Sequence, residues 1–336
     1  MIAVVTGGSG FIGRNLIRRL LADGHRVRCL VRPSGGDPPA DVARYLVALD
    51  DPRALARCPA FEGADVVFHL AGATRAVRFR DFATANVGPT RQLLGALAHR
   101  GLGPRFVFVS SQAAAGPATT ADRPVVETDE PRPIEPYGAS KLEAERVVQA
   151  HSDRVPVTIL RPSAVFGPHD RDFLMLFRMA VRGMILYPGV ATHWLSLVHV
   201  DDVVDALLAV AVQDRAVGRT YFITAPDAIR WRALGEQVGL VTGRAVRHVD
   251  LPAPVVFAAA TVGDWFGRLT RSTPIATRSK AALSRAPYWV CSAARAGEEL
   301  GVRASRSLPD ALADTYLWYR QHGWLRGPRR GSAIPA

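Results

Sequence analysis

The stretch "PYGASK" sets Tyr137 and Lys141 four residues apart. That is one helical turn, so both side chains leave the same face of a helix. A phenol with its ordinary pKa near ~10 carries protons poorly at neutral pH. An ammonium group one turn away favours the phenolate and brings it into range for acid/base work. YxxxK alone often marks nothing more than a surface tyrosine and lysine, so its surroundings decide. Upstream, "FVFVSSQAAAG" reads as a buried strand ending in two hydroxyls, Ser110 and Ser111. Ligands of open α/β sheets sit at such strand C-termini. A serine there can hydrogen-bond a carbonyl oxygen while the tyrosine passes that oxygen a proton.

A second candidate lies at the start of the chain. "TGGSGFIG", Thr6 to Gly13, follows an apolar strand and opens a helix. Gly8, Gly10 and Gly13 fit GxGxxG, and Gly7, Gly10 and Gly13 fit GxxGxxG. Glycines allow a tight turn and a close backbone approach, and the free N–H groups of the helix start suit a pyrophosphate. With a strand before and a helix after, dinucleotide binding is the expectation; a structural turn is the alternative.

The third is "CLVRPS", Cys29 to Ser34. A second strand in a dinucleotide unit usually ends in an acid that accepts from the adenosine ribose. Here Val31 stands in that place and Arg32 follows. A guanidinium matches phosphate oxygens, so the expected cofactor is NADP in preference to NAD, with Arg32 on the 2′-phosphate. Arg28 and Arg14 could reinforce the positive field. The competing reading leaves Arg32 in solvent and NAD bound through backbone contacts.

The elements that must position these residues alternate along the first half of the chain. "IAVVT", "RVRCLV", "ADVVFHLAG", "RFVFVSS" and "VTILRPS" read as strands. "RNLIRRLLADG", "VGPTRQLLGALAHRG" and "ASKLEAERVVQAHS" read as amphipathic helices between them. The fold class is α/β, a doubly wound parallel sheet of Rossmann type with a smaller C-terminal substrate domain. After Ser163 the rhythm breaks, and "LVHVDDVVDALLAVAV" reads as a strand and helix returning to the sheet. The expected cofactor domain is residues 1–162 plus 196–222. The expected substrate domain is 163–195 plus 223–326, with 327–336 a flexible tail.

Composition bounds the rest. The 336 residues suffice for a full core, and 48% hydrophobic with 21% charged residues is ordinary for a soluble enzyme. A formal charge of +12 comes from scattered basic residues and reads as a solvated surface or as attraction to anionic ligands. No motif for nucleic acid accompanies it, and no nucleic-acid partner is expected. Cys29, Cys58 and Cys291 show no metal spacing and suit reduced thiols of a cytoplasmic protein. The N-terminus lacks the basic region of a signal peptide, and "LPAPVVFAAATVG" is too short to span a bilayer. "VVFAAATVGDWFGRLTR", with Arg268 and Arg271, reads as a buried helix, a cover for a lipophilic channel, or a helix lying in a membrane interface.

Taken together, "TGGSGFIG", "DVVFHLAG", "NVGPT", "FVFVSSQAAAG", "YGASK", "LRPSAVFGP" and "LVHVDDV" give a chain that resembles the extended short-chain dehydrogenases/reductases, the NAD-dependent epimerase/dehydratase family. The likeness runs from Met1 to about Trp324. It is greatest to the branch of dihydroflavonol reductases and 3β-hydroxysteroid dehydrogenases. The resemblance implies that Ser111, rather than Ser110, is the catalytic hydroxyl, with Tyr137 the acid/base. It implies that Lys141 binds the nicotinamide ribose and tunes Tyr137, and that Asn86 supports the site. It also implies a cofactor bed of Gly7, Gly10, Phe11, Ile12, Gly13, Arg32, Leu70 and Ala71, completed by Tyr137 and Lys141, with no metal.

Departures from the family narrow the expectation. Dehydratases carry Asp-Glu after the catalytic hydroxyl, and this chain has Gln112-Ala113, which disfavours dehydration. Epimerases usually carry Asn where Ala164 stands. The acid near the adenine is replaced by Ala48, with Asp50 and Asp51 displaced. Phe173, Met175, Leu176, Phe177, Met179, Met184, Ile185, Leu186, Tyr187 and Trp194 form an apolar series that either lines a pocket or fills a core. His199 and Asp201 read as fold-locking hydrogen bonders. The leading expectation is NAD(P)-dependent interconversion of a secondary alcohol and a ketone on a hydrophobic small molecule, steroid-, terpenoid- or polyketide-like. A nucleotide-sugar epimerase with tightly held NAD and a non-catalytic cofactor-binding regulator are the alternatives. A homodimer and peripheral membrane contact are further expectations.

Overall fold

The computed structural model describes residues 1–33, 36–39, 42–74, 79–99, 103–188, 193–252 and 286–325, with the single positions 101, 255, 258 and 261. Strands β1 (Ile2–Thr6), β2 (Arg26–Val31), β3 (Ala43–Leu46), β4 (Val66–His69), β5 (Arg105–Val109) and β6 (Val157–Pro162) alternate with helices. Those helices are α1 (Phe11–Ala22), α2 (Pro52–Arg57), α3 (Phe79–His99), α4 (Gln112–Ala115) and α5 (Pro136–Gln149). There follow β7 (Ala164–Phe166), α6 (Phe173–Val181), β8 (Met184–Pro188), β9 (Trp194–Leu195), β10 (Leu197–His199), α7 (Val200–Val212) and β11 (Thr220–Ile223). The chain closes with β12 (Ile229–Arg230), α8 (Trp231–Thr242), β13 (Arg247–Leu251), β14 (Tyr288–Trp289), α9 (Ala294–Leu300) and α10 (Leu308–Gln321).

The main sheet has seven strands in the order β11-β6-β5-β4-β1-β2-β3, every pair parallel. The order reverses between β1 and β4, so a crevice opens beyond their C-terminal ends. Both faces are covered, which is why the strands run continuously apolar: Val66 to His69 and Val157 to Pro162 are buried throughout. On one face α1 and α7 pack through Leu16, Ile17, Leu20, Val203 and Leu207. On the other, α3 and α5 pack through Leu93, Leu97, Ala144 and Val148. The α1 residues recur at helical spacing, and the helix ends where Gly24 takes φ +76° and the His25 N–H reaches the Leu20 carbonyl at 2.9 Å.

"LVHVDDV" departs from its expected place. Its helix, α7, does pack on the sheet, but its strand β10 pairs with β7 in a separate two-stranded sheet. The outer edge of β6 is taken instead by β11, which the sequence reading did not single out. A second core gathers Phe166, Leu176, Phe177, Ile185, Tyr187, Leu234, Tyr316 and Tyr319. Phe177 stacks on Tyr316 at 6.1 Å and meets Tyr319 edge-on at 5.4 Å. Leu176, Phe177, Ile185 and Tyr187, four of the ten residues of the apolar series after Ser163, are therefore buried core, whereas Met175 and Met184 point outward, 47% and 44% exposed. Asn15 Nδ2, on α1, donates to the Pro168 carbonyl at 2.9 Å and ties this core to the first, while the Tyr319 hydroxyl donates to the Asp170 carbonyl at 2.8 Å within it. Most of the segment from Val255 to Arg271, and the tail after Gly327, lie outside the described residues.

Candidate active site

The phosphate loop is built by close backbone contact. Gly7 takes φ +73°, and a Cβ there would stand 2.7 Å from the Ala71 nitrogen. A Cβ on Gly13 would stand 2.3 Å from the Gly7 carbonyl oxygen. One on Gly8 would meet mainly side chains, Ile17 and Cys29, which can shift. Geometry thus demands glycine at Gly7 and Gly13, and at Gly10 an added Cβ would be a tight 3.1 Å from the Gly7 carbonyl oxygen. Gly10 caps α1 with no side-chain acceptor, and no acid lies in the first turn, where Phe11 and Ile12 sit half-buried. The helix start keeps N–H groups that no side chain caps, as a pyrophosphate requires, so the loop fits a dinucleotide.

Beneath the loop runs a chain of hydrogen bonds that sequence reading missed. The Leu70 N–H reaches the Thr6 carbonyl, and the Ala71 N–H donates to Thr6 Oγ1 at 3.1 Å. Thr6 Oγ1 lies 2.7 Å from His69 Nδ1, and His69 Nε2 lies 2.9 Å from Thr90 Oγ1, which donates to the Asn86 carbonyl at 2.6 Å. Thr90 has spent its proton on Asn86, so His69 carries its hydrogen on Nε2 and accepts from Thr6 on Nδ1. Burial, with the Lys141 charge adding, holds the His69 pKa down to about 3, so the ring is neutral. Asn86 in turn accepts from Ala73 N–H at 2.7 Å and donates to Ser140 Oγ at 2.9 Å, joining the loop after β4 to α5.

At the end of β5 the two serines part. Ser110 Oγ donates to Glu145 at 2.5 Å, and Glu145 is also gripped by Arg161 through Nε at 2.9 Å and Nη2 at 2.6 Å. All three side chains are buried. Ser111 caps α4, accepting from the Ala113 N–H at 3.2 Å, and its hydroxyl acts on the Tyr137 phenol, whose pKa it lowers. Ser110 is committed to the interior and Ser111 is the hydroxyl beside the tyrosine. The Glu145 anchor could have been sought from its position, one turn beyond Lys141 on the same helix face. Nothing in the sequence, however, pairs it with Arg161.

Tyr137 is set in place by its helix start. Pro136 opens α5, and the Glu135 carboxylate accepts from the Tyr137 N–H at 2.7 Å and from the Gly138 N–H. A Cβ on Gly138 would fall 2.2 Å from the Ala113 carbonyl oxygen, so only glycine lets α5 approach α4 this closely. Burial pushes the Tyr137 phenol up to about 12, with the Ser111 hydrogen bond opposing and the Glu135 charge assisting. Lys141 Nζ donates to the Val109 carbonyl at 2.6 Å and stands 4.4 Å from the Phe108 ring centroid. Burial lowers the ammonium to about 8, against the pull of Glu145. Gln112, next to Ser111, is buried, and its Nε2 meets no partner among the described residues.

The adenosine end is different. Val31 is packed in the core and Arg32, just past β2, is exposed and paired with no described residue. Arg28 does not join it: its guanidinium donates to the Ala60 and Glu62 carbonyls at 2.9 and 2.6 Å. Arg14 stays by the loop, donating to the Ser9 and Asp37 carbonyls, both at 2.9 Å. Asp51 spends its carboxylate on the N–H groups of Arg53 and Ala54 as the cap of α2. His199, likewise, caps α7 by accepting from the Asp201 N–H at 3.3 Å.

A reversed parallel sheet, a bare helix start at its crevice and a Ser-Tyr-Lys corner define a dinucleotide-dependent α/β enzyme. Residues 3–223 match the NAD dependent epimerase/dehydratase family, and the chain belongs to that family. It is an NAD(P)-dependent oxidoreductase. It is 31% identical over 328 residues to the ceramide reductase of Caulobacter vibrioides, covering 96% of each chain. It is 30% identical over 282 residues to the 4-hydroxy-2-methyl-3-oxo-4-farnesyl-3,4-dihydroquinoline-1-oxide ketoreductase of Stigmatella aurantiaca, covering 79% of this chain and 80% of that one. Among solved structures it superposes on MoeE5 in complex with UDP-glucose and NAD at a TM-score of 0.76, with 26% identity, covering 96% of this chain and 99% of that one. Among the described residues no helix is long and apolar enough to cross a membrane.

Proposed function

We propose that this protein reduces a ketone to a secondary alcohol on a hydrophobic small molecule, with Ser111, Tyr137 and Lys141 as its working residues. The observation that carries the reading is the placing of Ser111 at the end of β5 and of Tyr137 and Lys141 one turn apart on α5, with Glu135 and Gly138 holding the start of α5 against α4. Gly7, Gly10, Phe11, Ile12, Gly13, Leu70 and Ala71 hold the dinucleotide, and Lys141 holds its nicotinamide ribose with the donors that Val109 leaves free. When bound, the reduced nicotinamide supplies a hydride to the carbonyl carbon. Ser111 donates to the carbonyl oxygen and polarises it. Tyr137, which burial keeps protonated at neutral pH, then delivers its proton to that oxygen. Gln112 has no proton for a departing hydroxide, so dehydration is not part of this reading.

The names of two relatives, a ceramide reductase and a farnesyl-bearing ketoreductase, support a long-chain or prenylated ketone as substrate. The second core, with the segments around it, is proposed as the substrate side and the parallel sheet as the cofactor side. Arg32 is proposed to read a 2′-phosphate, making NADP(H) the preferred cofactor. Three free, buried cysteines agree with a cytoplasmic setting. A nucleotide-sugar epimerase is the second reading, supported by the likeness to MoeE5. Incubating the protein with NADPH or NADH and a panel of long-chain and prenylated ketones separates the two. Stoichiometric loss of reduced cofactor is expected; sugar-nucleotide interconversion without net oxidation would replace this reading with the other.

A further inference from the structure

One edge of the second core collects features that the site does not use. Strands β8 and β13 run parallel in the register Met184 with Arg247, so the two turns that precede them lie side by side. The Arg247 N–H closes that junction on the Gly183 carbonyl at 2.9 Å. One turn is the C-terminal end of α6, capped by Arg182 with Arg178 a turn earlier; the other is the end of α8, where Arg244 follows the Gly243 cap. Arg178, Arg182, Arg244 and Arg247 thus gather at one edge, and none forms an ion pair or side-chain hydrogen bond with a described residue. Between them stand two apolar side chains that face water, Leu240 at 74% and Met184 at 44% exposed. The acids nearby do not neutralise the edge. Asp250 is taken by Arg232 at 2.9 Å, and among the described residues Glu236, one turn before Leu240, is the opposing charge on α8.

Cations at helix C-termini complement the helix dipole, and that accounts for Arg182 and Arg244. It does not account for Arg247, which sits on a strand, or for an exposed leucine framed by unpaired guanidinium groups. A surface of cations around protruding apolar side chains matches the layered chemistry of an anionic bilayer, phosphates outside and acyl chains within. We propose that this edge docks the protein on an anionic lipid membrane. Arg178, Arg182, Arg244 and Arg247 would meet the headgroups, and Leu240 and Met184 would enter the acyl boundary. The proposal does not rest on the ketone chemistry, though a protein seated there would meet water-insoluble substrates where they reside.

The test is co-sedimentation of the full chain, without cofactor or substrate, with vesicles of phosphatidylcholine alone or mixed with phosphatidylglycerol. Binding to the mixed vesicles at low salt, and its loss at high salt, are expected. A cation near such a surface contributes about 1 kcal/mol, or about five-fold, so Arg182→Gln with Arg247→Gln should weaken binding about 25-fold. Leu240→Ser should cost about a further ten-fold. The same variants should keep their thermal midpoint and their turnover of a water-soluble ketone, which separates this proposal from the reading of the active site. No binding at low salt, equal binding to uncharged vesicles, or unchanged binding by the variants would overturn it. So would a change of oligomeric state in the variants without vesicle binding, which would give this edge to a second copy of the chain.

Discussion

At the end of β5, side chains from several elements are fastened to one another. Ser110 is held by Glu145, Glu145 by Arg161, Lys141 by the Val109 carbonyl, and Ser140 by Asn86. Past the end of β2, Arg32 is exposed and has no described partner. The two places lie on opposite sides of β1 in the same sheet. The first, which the proposed function makes the chemical end, is ordered before any ligand arrives, and changing it disturbs the fold. The second contributes nothing to the fold and is open to retuning. Preorganised groups act most strongly on a developing charge, which explains why the fastening is concentrated at the chemical end.

The sharpest break of the fastened end is chemical. Tyr137→Phe should lower turnover at least ~10²-fold, and Ser111→Ala by a comparable factor, with dinucleotide affinity nearly unchanged. Steady-state turnover and direct cofactor titration check both, and near-wild-type rates would remove that residue from the mechanism. The next break is structural. Glu145→Gln leaves Arg161 and Lys141 buried without their counter-charge and should cost about 3–5 kcal/mol in urea unfolding. Replacing Glu145 and Arg161 together by Leu and Met should recover much of that loss. A single variant as stable as the wild type would mean the pair is not fastened.

The open end should respond in the opposite manner. A charged hydrogen bond to a 2′-phosphate is worth ~1.5–3 kcal/mol, so kcat/KM should favour NADPH roughly 10- to 150-fold. Val31→Asp with Arg32→Asn should reverse that preference with little loss of stability. Equal use of both cofactors by the unaltered protein would show that Arg32 reads no phosphate.

The smallest effect is the pH dependence of the fastened interior. Burial lowers His69 from 6.5 to about 3 and His199 from 6.5 to about 4, so the unfolded chain binds their protons first. Stability therefore falls as pH drops through 6.5. Asp170, raised by burial from 3.8 to about 6, opposes this below pH 6 by holding its proton in the fold. His169 is likewise lowered to about 4, and the three histidines outweigh the raised carboxyls of Asp170, Glu135 and Asp202, each net proton being worth about 1.4 kcal/mol per pH unit. Urea midpoints at pH 7 and pH 5 should show the loss, and His69→Gln should flatten it; a midpoint that rises on acidification would reverse the sign.

Local patterns were legible in the sequence and long-range partnerships were not. The phosphate loop, the serine pair and YxxxK each sit within a dozen residues, where helix and strand spacing determine what shares a face. The choice of Ser111 over Ser110 came from family likeness. Its physical cause, Glu145, lies 35 residues from Ser110, and Arg161 a further 16 on. A charge on an amphipathic helix reads as solvated until the fold places an arginine against it. The exchange of β10 for β11 at the sheet edge has a similar origin, because both segments are short and apolar and only packing decides between them. The apolar series after Ser163 divided by alternation: Ile185 and Tyr187 went inward and Met184 outward.

The contact at Gly138 bears on how such a protein can change over generations. A Cβ there would meet a main-chain oxygen, which no substitution elsewhere can remove, so the spacing of Ser111 and Tyr137 cannot be adjusted by compensating side chains. The second core is held by interlocking rings such as Phe177, Tyr316 and Tyr319, which can be exchanged for others of similar volume. Descendants of this chain can thus acquire new substrates by remodelling that half, while the catalytic corner passes on unchanged or is lost.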